Sequence, residues 1–186
     1  AVETAGGGET IDVTLPDAID PATGEVDKRF TGYGDNVSPA IEWTPVDGAE
    51  TYAVVLQDPV EMADGSTFMV LHWAAYDIPG TSLPEAVPAG ADIPGGGKQI
   101  GNLMGNVGYS GMQPPANRPQ HQYTFQVFAL DTTLDLPADA GLPALLGAMD
   151  GHVIGSGSEV TPFSPPPEAQ AMPGVSLPDD HPLLAD

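Results

Sequence analysis

Glycine and proline are so frequent in this chain that long helices are disfavoured over most of its length. The 186 residues include 23 glycines and 21 prolines, both above the usual share in globular domains. Proline removes a backbone donor, and glycine destabilises the interior of a helix or strand. The sequence therefore predicts many turns joined by short strands. Its length suits one well-buried core and is short for two.

Between these turns the apolar residues follow strand periodicity. We predict strands at residues 11–15, 40–43, 51–57, 67–78 and 122–131, with a last short strand at 151–155. Residues 138–149 are the one plausible helix, shortened by Gly141, Pro143 and Gly147. The Gly/Pro-rich loop at 79–108 is too long to be inert in a compact domain. The pattern favours a mostly β domain with sandwich or Greek-key character.

The chain divides into three segments by composition. Residues 1–9 resemble a flexible N-terminus, residues 10–161 the folded domain, and residues 162–186 a proline-rich acidic tail. Such a tail is either disordered or extended along a surface. The small residues at the start of the sequence, with no initiator Met, are typical of a processed exported chain or of a trimmed one. We expect a periplasmic or extracellular location, with a cytoplasmic one as the alternative.

The charge balance excludes some partners. Four Lys and Arg against 26 Asp and Glu give a formal net charge of -22, which opposes binding to nucleic acid because phosphate backbones need clustered cations. No apolar run is long enough to span a bilayer. The acidity fits either a salty environment or a basic protein partner. Cysteine is absent, which leaves no disulfide, thiolate nucleophile or Cys-bound metal.

Polar residues that stand out in apolar strands indicate a pocket. His72 interrupts one strand, and His121 and Tyr123 share a face of another because alternate residues point the same way. By the same alternation His72 is expected to share its face with Val70 and Ala74. Imidazole and phenol donors can converge on an oxyanion. Asp58 would orient a histidine, and Pro114 and Pro115 would fix the loop beside it.

Several sequence blocks, in order, resemble the phosphatidylethanolamine-binding proteins, especially their bacterial and archaeal Raf-kinase-inhibitor-like branch. The blocks are Asn-x-Ser-Pro-x-x-x-Trp at 36–43, Ala-Val-Val-Leu-Gln-Asp-Pro at 53–59, His-Trp at 72–73, Asp-Ile-Pro at 77–79, Gly-Tyr-Ser-Gly at 108–111, Pro-Pro at 114–115, His-Gln-Tyr at 121–123, Ala-Leu-Asp at 129–131 and Gly-His at 151–152. The resemblance covers about residues 10–160.

The resemblance implies a β-sandwich-like fold with few short helices and a shallow anion pocket at one end. Family members bind phosphate-like anions and phospholipid head groups, and some inhibit kinases or proteases. Carried over by motif position, the ligand-binding residues are Asp58, Pro59, His72, Tyr109, Gly111, Pro114, Pro115, His121 and Tyr123. No cofactor or metal is implied.

The chain departs from the family pattern at the expected pocket rim. Val60 replaces a second acid after Asp-Pro, and Glu61 comes one residue later. Gln113 occupies a position that is commonly small, and the loop at 117–119 reads Asn-Arg-Pro where glycine is usual. These changes bear on ligand identity more than on the fold.

Two functions of different class remain. The first is a non-enzymatic module that binds a phosphate-like anion or phospholipid head group and modulates a partner protein. The second is an accessory subunit with a vestigial pocket, docked through its acidic surface and proline-rich tail.

The sequence motifs that would indicate an enzyme are weak. No Gly-x-Ser-x-Gly nucleophile elbow is present. The glycines at 95–97 are followed by Lys98 and Gln99, where a phosphate loop would have a Ser or Thr after the lysine.

Overall fold

The computed structural model describes residues 8–61, 64–118, 120–137 and 139–171. In this part of the chain the strands are β1 (Glu9–Thr10), β2 (Val13–Thr14), β3 (Ile41–Trp43), β4 (Thr51–Glu61), β5 (Thr67–Ile78), β6 (Ser82–Leu83), β7 (Lys98–Gln99), β8 (His121–Leu130) and β9 (Val153–Phe163). One α-helix, α1 (Leu142–Met149), and a short 3-10 turn (Lys28–Phe30) complete the elements.

The described strands form two sheets. The larger has the order β1-β9-β8-β4-β5-β7 and is antiparallel except for the parallel pair β1 and β9. The smaller has the order β2-β3-β6. The prediction of a mostly β fold with sandwich character is confirmed, since one hydrophobic core lies between these sheets.

A second hydrophobic core lies on the other face of the large sheet, because successive side chains along its strands point to opposite faces. In β4, Val54 and Leu56 pack against the small sheet, whereas Ala53 and Val55 face the opposite side. There the helix α1 covers the large sheet with Leu145 and Met149, which are fully buried. Both faces of the central strands are therefore apolar, which explains why β4 reads as a nearly continuous hydrophobic run.

A β-bulge in β5 changes one predicted face. Leu56 pairs with Trp73 while Gln57 pairs with Leu71, so His72 is the additional residue. The expectation that His72 shares a face with Ala74 is therefore wrong, because the bulge shifts the alternation by one. Ala74 belongs to the core beneath α1, and His72 faces the inter-sheet side with Val70.

The last strand is much longer than the predicted segment at 151–155. The Gly-Ser-Gly-Ser run at 155–158 extends past the end of the predicted segment and lies within β9. Its glycines permit the β1–β2 segment to pass very close: a Cβ on Gly157 would meet the carbonyl oxygen of Ile11 at 1.8 Å. Glycine here serves close backbone approach, which is a known exception to its weak strand propensity.

The helix and the long loop also differ from expectation in detail. The predicted helix start at residue 138 lies outside the described residues, and α1 begins at Leu142 with Pro143 in its first turn, where proline is tolerated.

The loop at 79–108 contains β6 and β7. Gln99 anchors it: its Oε1 accepts from the Trp73 indole at 2.8 Å, and its Nε2 donates to the carbonyls of Pro88 and Gly90.

The first part of the predicted tail is ordered against the domain. Strand β9 continues to Phe163, and the amide of Ala116 donates to the carbonyl of Gln170 at 3.1 Å. Residues 164–171 thus run beside the Pro114-Pro115 loop. Residues 1–7 and 172–186 of the predicted terminal segments lie outside the described residues. Within the described chain, no helix has the length and apolarity to cross a bilayer.

Candidate functional site

A cavity of about 690 Å³ lies on the inter-sheet face of the large sheet. Its floor comes from three adjacent strands: Asp58 from β4, His72 from β5, and His121 with Tyr123 from β8. Neighbouring strands of a sheet stand about 4.8 Å apart. Side chains on one face of three such strands can therefore converge, as these four do.

Asp58 and His121 form a buried pair. His121 donates from Nδ1 to Oδ2 of Asp58 at 2.7 Å, and the side chains are only 10% and 6% exposed for His121 and Asp58 respectively. Holding Nδ1 in this way fixes the ring orientation and leaves Nε2 for the cavity. The predicted role of Asp58 as an orienting group fits this geometry. The second oxygen, Oδ1, is buried and has no hydrogen-bond partner among the described residues.

His72 is held by the loop that follows the long connection. Its Nδ1 donates to the carbonyl oxygen of Ser110 at 2.9 Å. Burial lowers the pKa of His72, and the hydrogen bond to Ser110 and the charge of Asp58 oppose this only in part. The ring meets Tyr123 edge-on, with centroids 5.3 Å apart. His72 is therefore a neutral, oriented imidazole at neutral pH.

Tyr123 completes the floor. Its ring stacks on His121 with centroids 5.9 Å apart and an interplanar angle of 26°. Burial raises the pKa of Tyr123, and the nearby carboxylate of Asp58 raises it further. The phenol therefore keeps its proton and can donate it in a hydrogen bond to a ligand.

The loop at 110–115 closes one side of the cavity and is tied to the region around the 3-10 turn. Tyr33 donates its hydroxyl proton to the carbonyl of Pro114 at 2.7 Å, and Asn36 accepts from the amide of Gly111 at 2.7 Å. A Cβ on Gly111 would meet the carbonyl oxygen of Phe30 at 2.5 Å. Gly111 is thus needed for close packing. Together with Pro114 and Pro115 it lines the cavity.

Two predicted ligand residues do not line the cavity. Tyr109 donates its hydroxyl proton to the carbonyl of Phe30 at 2.6 Å and packs edge-on against Trp73. Pro59 follows Asp58 in β4 and is exposed. Since adjacent residues of a strand point to opposite faces, the side chain of Pro59 lies away from the pocket.

The rim mixes charged and apolar groups. Arg118 lines the cavity, and Glu168 and Gln170 reach it from the segment after β9. Glu168 is hydrogen-bonded by the ammonium of Lys28. Val60, Leu103 and Met104 supply apolar surface. The substituted positions Val60, Gln113 and Arg118 all line the cavity, whereas the side chain of Glu61 and residue 119 lie outside the described residues.

Sequence reasoning missed several lining residues. Tyr33, Glu168 and Gln170 are far from the histidines along the chain, and only the tertiary fold brings them to the rim. The carbonyl of Ser110 is a backbone group, and no side-chain pattern reports its role. The sequence block that begins at Asn36 did indicate that this residue matters. Its hydrogen bond from the amide of Gly111, however, depends on the left-handed backbone of Asn36 (φ 56°).

The other candidate motifs have structural explanations. Lys98 pairs with Asp92 at 2.9 Å after three glycines with positive φ, and β7 rather than a helix follows. His152 pairs with Asp131 at 2.7 Å on the surface. Within the described ranges, no three or more His, Cys, Asp or Glu side chains are arranged so that they could hold a metal ion.

The fold and pocket define a member of a known family. The family model described as phosphatidylethanolamine-binding protein matches residues 17–164, and the chain belongs to this family. It is similar to a UPF0098 protein of Methanothermobacter thermautotrophicus, with 38% identity over 135 residues covering 71% of this chain and 85% of the relative. A UPF0098 protein of Aquifex aeolicus is 34% identical over 134 residues, covering 70% and 75%.

Solved structures share the fold. Escherichia coli YbcL, described as a member of the mammalian PEBP family, superposes with a TM-score of 0.71 at 23% identity and covers 83% of this chain and 98% of its own. A PEBP homologue from Chlamydia trachomatis, CT736, gives a TM-score of 0.70 at 24% identity and covers 86% and 100%. These likenesses show the architecture. The similarity to the archaeal and bacterial UPF0098 proteins is what indicates the bacterial and archaeal type of the family.

Proposed function

We propose that this protein is a non-enzymatic binding module for a small phosphate-type group, either free or at the head of a phospholipid. The observation that carries the proposal is the convergence of Asp58, His72, His121 and Tyr123 on one 690 Å³ cavity. A pocket of this size with a few oriented polar groups is typical of a small-molecule site. Family membership supports a ligand-binding role in general.

Two local features favour an anionic group despite the overall charge. Arg118 lies at the rim, and its fork of donors suits phosphate oxygens. The acidic charge elsewhere is screened over about 8 Å at physiological ionic strength, so distant carboxylates act weakly on the site. The phenol of Tyr123 adds a donor at the floor. The ligand would sit between Arg118 and the two imidazoles.

The alternative of an accessory subunit that docks through its tail is less well supported. Residues 164–171 contribute Glu168 and Gln170 to the cavity, and Gln170 is hydrogen-bonded to Ala116. This part of the tail builds the pocket wall. Cutting the chain near residue 161 would therefore remove pocket residues together with any docking segment, so truncation cannot separate the two functions.

A pair of arginine variants provides the test. Arg118→Gln and Arg29→Gln remove the same charge, but Arg29 pairs with Glu85 and does not line the cavity. Isothermal titration calorimetry with inorganic phosphate and phosphoethanolamine should detect binding to the wild type. Arg118→Gln should weaken that binding by about 10-fold, as expected for loss of a charged hydrogen bond. Absence of binding to the wild type, or equal losses in both variants, would contradict the proposal.

A further inference from the structure

The mouth of the cavity carries exposed apolar side chains. Leu103 and Met104 are neighbours in sequence, are 48% and 65% exposed, and both line the cavity. Single exposed apolar residues are normal on a protein surface, whereas adjacent ones at a concave site mark a binding surface. Among the described residues, the large hydrophobic side chains that are exposed are Ile19, Phe68, Leu103, Met104 and Val160.

The turn that presents Leu103 and Met104 is held in place by hydrogen bonds. Asn102 accepts at Oδ1 from the amide of Met104 at 2.9 Å, and donates from Nδ2 to the carbonyl of Gly108 at 2.9 Å. The amide of Leu103 donates to the carbonyl of Leu71 on β5 at 2.9 Å. Because the turn is tied both to its own loop and to the large sheet, the backbone that carries the two apolar side chains is kept at the mouth.

The apolar surface of the mouth begins directly beside the polar floor. Asp58 pairs with Val70 across β4 and β5, and Val60 pairs with Phe68 two residues further along. Residues directly opposite each other in an antiparallel pair share a face, as do residues two apart on one strand. Asp58, Val60 and Val70 line the cavity, and Phe68, which is 62% exposed, extends the same face beyond it. An apolar strip thus runs outward from the aspartate.

The cavity is larger than a phosphate group needs. Its volume of about 690 Å³ lies within the range of about 300–1,000 Å³ that holds drug-sized ligands. Inorganic phosphate fills the space of only a few water molecules, at about 30 Å³ each. A phosphate at the floor therefore leaves room for a substituent of several carbon atoms along Val60, Leu103 and Met104.

We infer that Leu103 and Met104, together with Val60, form an apolar subsite for a hydrocarbon group attached to the phosphate, so that the ligand is an amphiphilic phosphate ester. This inference rests on the proposed function and adds a ligand class to it. The subsite belongs to the ligand because the apolar strip and the polar floor are walls of one cavity. Full burial of one methylene group strengthens binding about 4-fold, and contact on one side only, as at an open mouth, about 2-fold.

A series of alkyl phosphates tests the subsite. Isothermal titration calorimetry at neutral pH and constant ionic strength compares methyl, butyl and hexyl phosphate, which differ only in chain length. Affinity should rise about 2-fold per methylene group, or roughly 30-fold from methyl to hexyl phosphate. 1-Hexanol has the same chain without a phosphate and should bind much more weakly than hexyl phosphate.

A further probe distinguishes the two sources of such an ester. Dihexanoyl phosphatidylethanolamine, kept at concentrations at which it is monomeric, carries the same phosphate chemistry in a phospholipid. Tighter binding than that of hexyl phosphate would support the inference with a phospholipid as the ligand. Weaker binding, with the chain-length dependence of the alkyl phosphates retained, would support it with a simple phosphate ester as the ligand.

Matched variants locate the contact at the mouth. Leu103→Ser and Val160→Ser each shorten a side chain that is about half exposed, at 48% and 49%, but Val160 lies on β9 and is not among the residues that line the cavity. The double variant Leu103→Ser, Met104→Ser should lower the affinity for hexyl phosphate about 5-fold or more and leave that for methyl phosphate unchanged. Val160→Ser should change neither affinity. Circular dichroism checks that the variants are folded.

The outcomes separate this inference from the proposed function. Equal affinities for methyl and hexyl phosphate, or an undiminished chain-length dependence in the double variant, would overturn the inference and leave phosphate binding intact. Sedimentation of the wild type as a dimer that the double variant dissociates would also overturn it, because the mouth would then be a contact between two copies of the chain. Binding of 1-hexanol as tight as that of hexyl phosphate, or failure of every phosphate probe to bind, would overturn both.

Discussion

Nδ1 of His121 on β8 lies 2.7 Å from Oδ2 of Asp58 on β4, and this hydrogen bond joins two buried side chains across the large sheet. A second pair, His152 with Asp131, has the same 2.7 Å separation, but both of its side chains are 47% exposed. The chain thus contains the same chemical contact in two environments. The difference between them isolates the effect of burial.

Removing the histidine from each pair should therefore have unequal effects. His121→Ala leaves a buried carboxylate with no partner, and we expect it to lower the free energy of unfolding by about 3 kcal/mol. His152→Ala, at the exposed pair, should lower it by no more than about 1 kcal/mol. Urea unfolding followed by tryptophan fluorescence measures both. Equal losses would show that the Asp58–His121 pair is not buried as described.

Variants of Tyr123 and Tyr109 are expected to distinguish a loss of ligand affinity from a loss of stability. Tyr123→Phe removes a hydroxyl that faces the cavity, so it should weaken phosphate binding and change stability little. Tyr109→Phe removes the hydrogen bond to the Phe30 carbonyl, which should lower the unfolding free energy by about 1 kcal/mol and leave affinity unchanged. Calorimetry and urea unfolding of both variants provide the comparison. A loss of affinity in Tyr109→Phe alone would reverse the assignment.

Gly111 should tolerate no larger residue. In Gly111→Ala the new Cβ would approach the Phe30 carbonyl oxygen to 2.5 Å and Oδ1 of Asn36 to 2.8 Å. We expect a loss of about 2 kcal/mol or more, as for other overpacked sites. Gly147→Ala in α1 is the control: its Cβ has nothing within 4 Å, and alanine favours the helix by about 0.8 kcal/mol. Thermal unfolding should show opposite shifts in the midpoint temperature.

His72 should make the fold less stable in acid. Burial lowers its pKa in the folded state, so between that pKa and the ordinary value near 6.5 the unfolded chain binds more protons. Stability is therefore present above this ordinary value and is lost as the pH falls below it, with a slope of at most about 1.4 kcal/mol per pH unit for one proton. Unfolding free energies of the wild type and His72→Asn between about pH 5 and 7 should show a shallower loss in the variant. Parallel curves would contradict a neutral, buried His72.

Sequence periodicity was sufficient for the main strands, but two features of the fold depend on tertiary contacts. The bulge that turns His72 toward the cavity follows from how β4 and β5 pair, and a single strand does not reveal its partner's register. The length of β9 depends on Gly157 lying against Ile11. Local composition alone favours a loop there, because glycine is a poor strand former without such a neighbour.

The candidate site was predictable to the extent that its residues lie in the recognisable blocks. Asp58, His72, His121 and Tyr123 converge because they occupy one face of adjacent strands. Tyr109 is in the same blocks, yet its hydroxyl is used by Phe30. A motif does not distinguish a residue that supports the pocket from one that lines it. The positions of Glu168 and Gln170 at the cavity depend on the path of the chain after β9, which the sequence does not reveal.

Side-chain ¹⁵N NMR of the histidines during titration with inorganic phosphate shows whether the cavity binds phosphate. If phosphate binds in the cavity, the Nε2 resonances of His72 and His121 should shift in a saturable manner, while those of His152, at the surface pair with Asp131, stay in place. Unchanged resonances for His72 and His121, or shifts of equal size for His72, His121 and His152, would contradict a phosphate-binding pocket between His72 and His121.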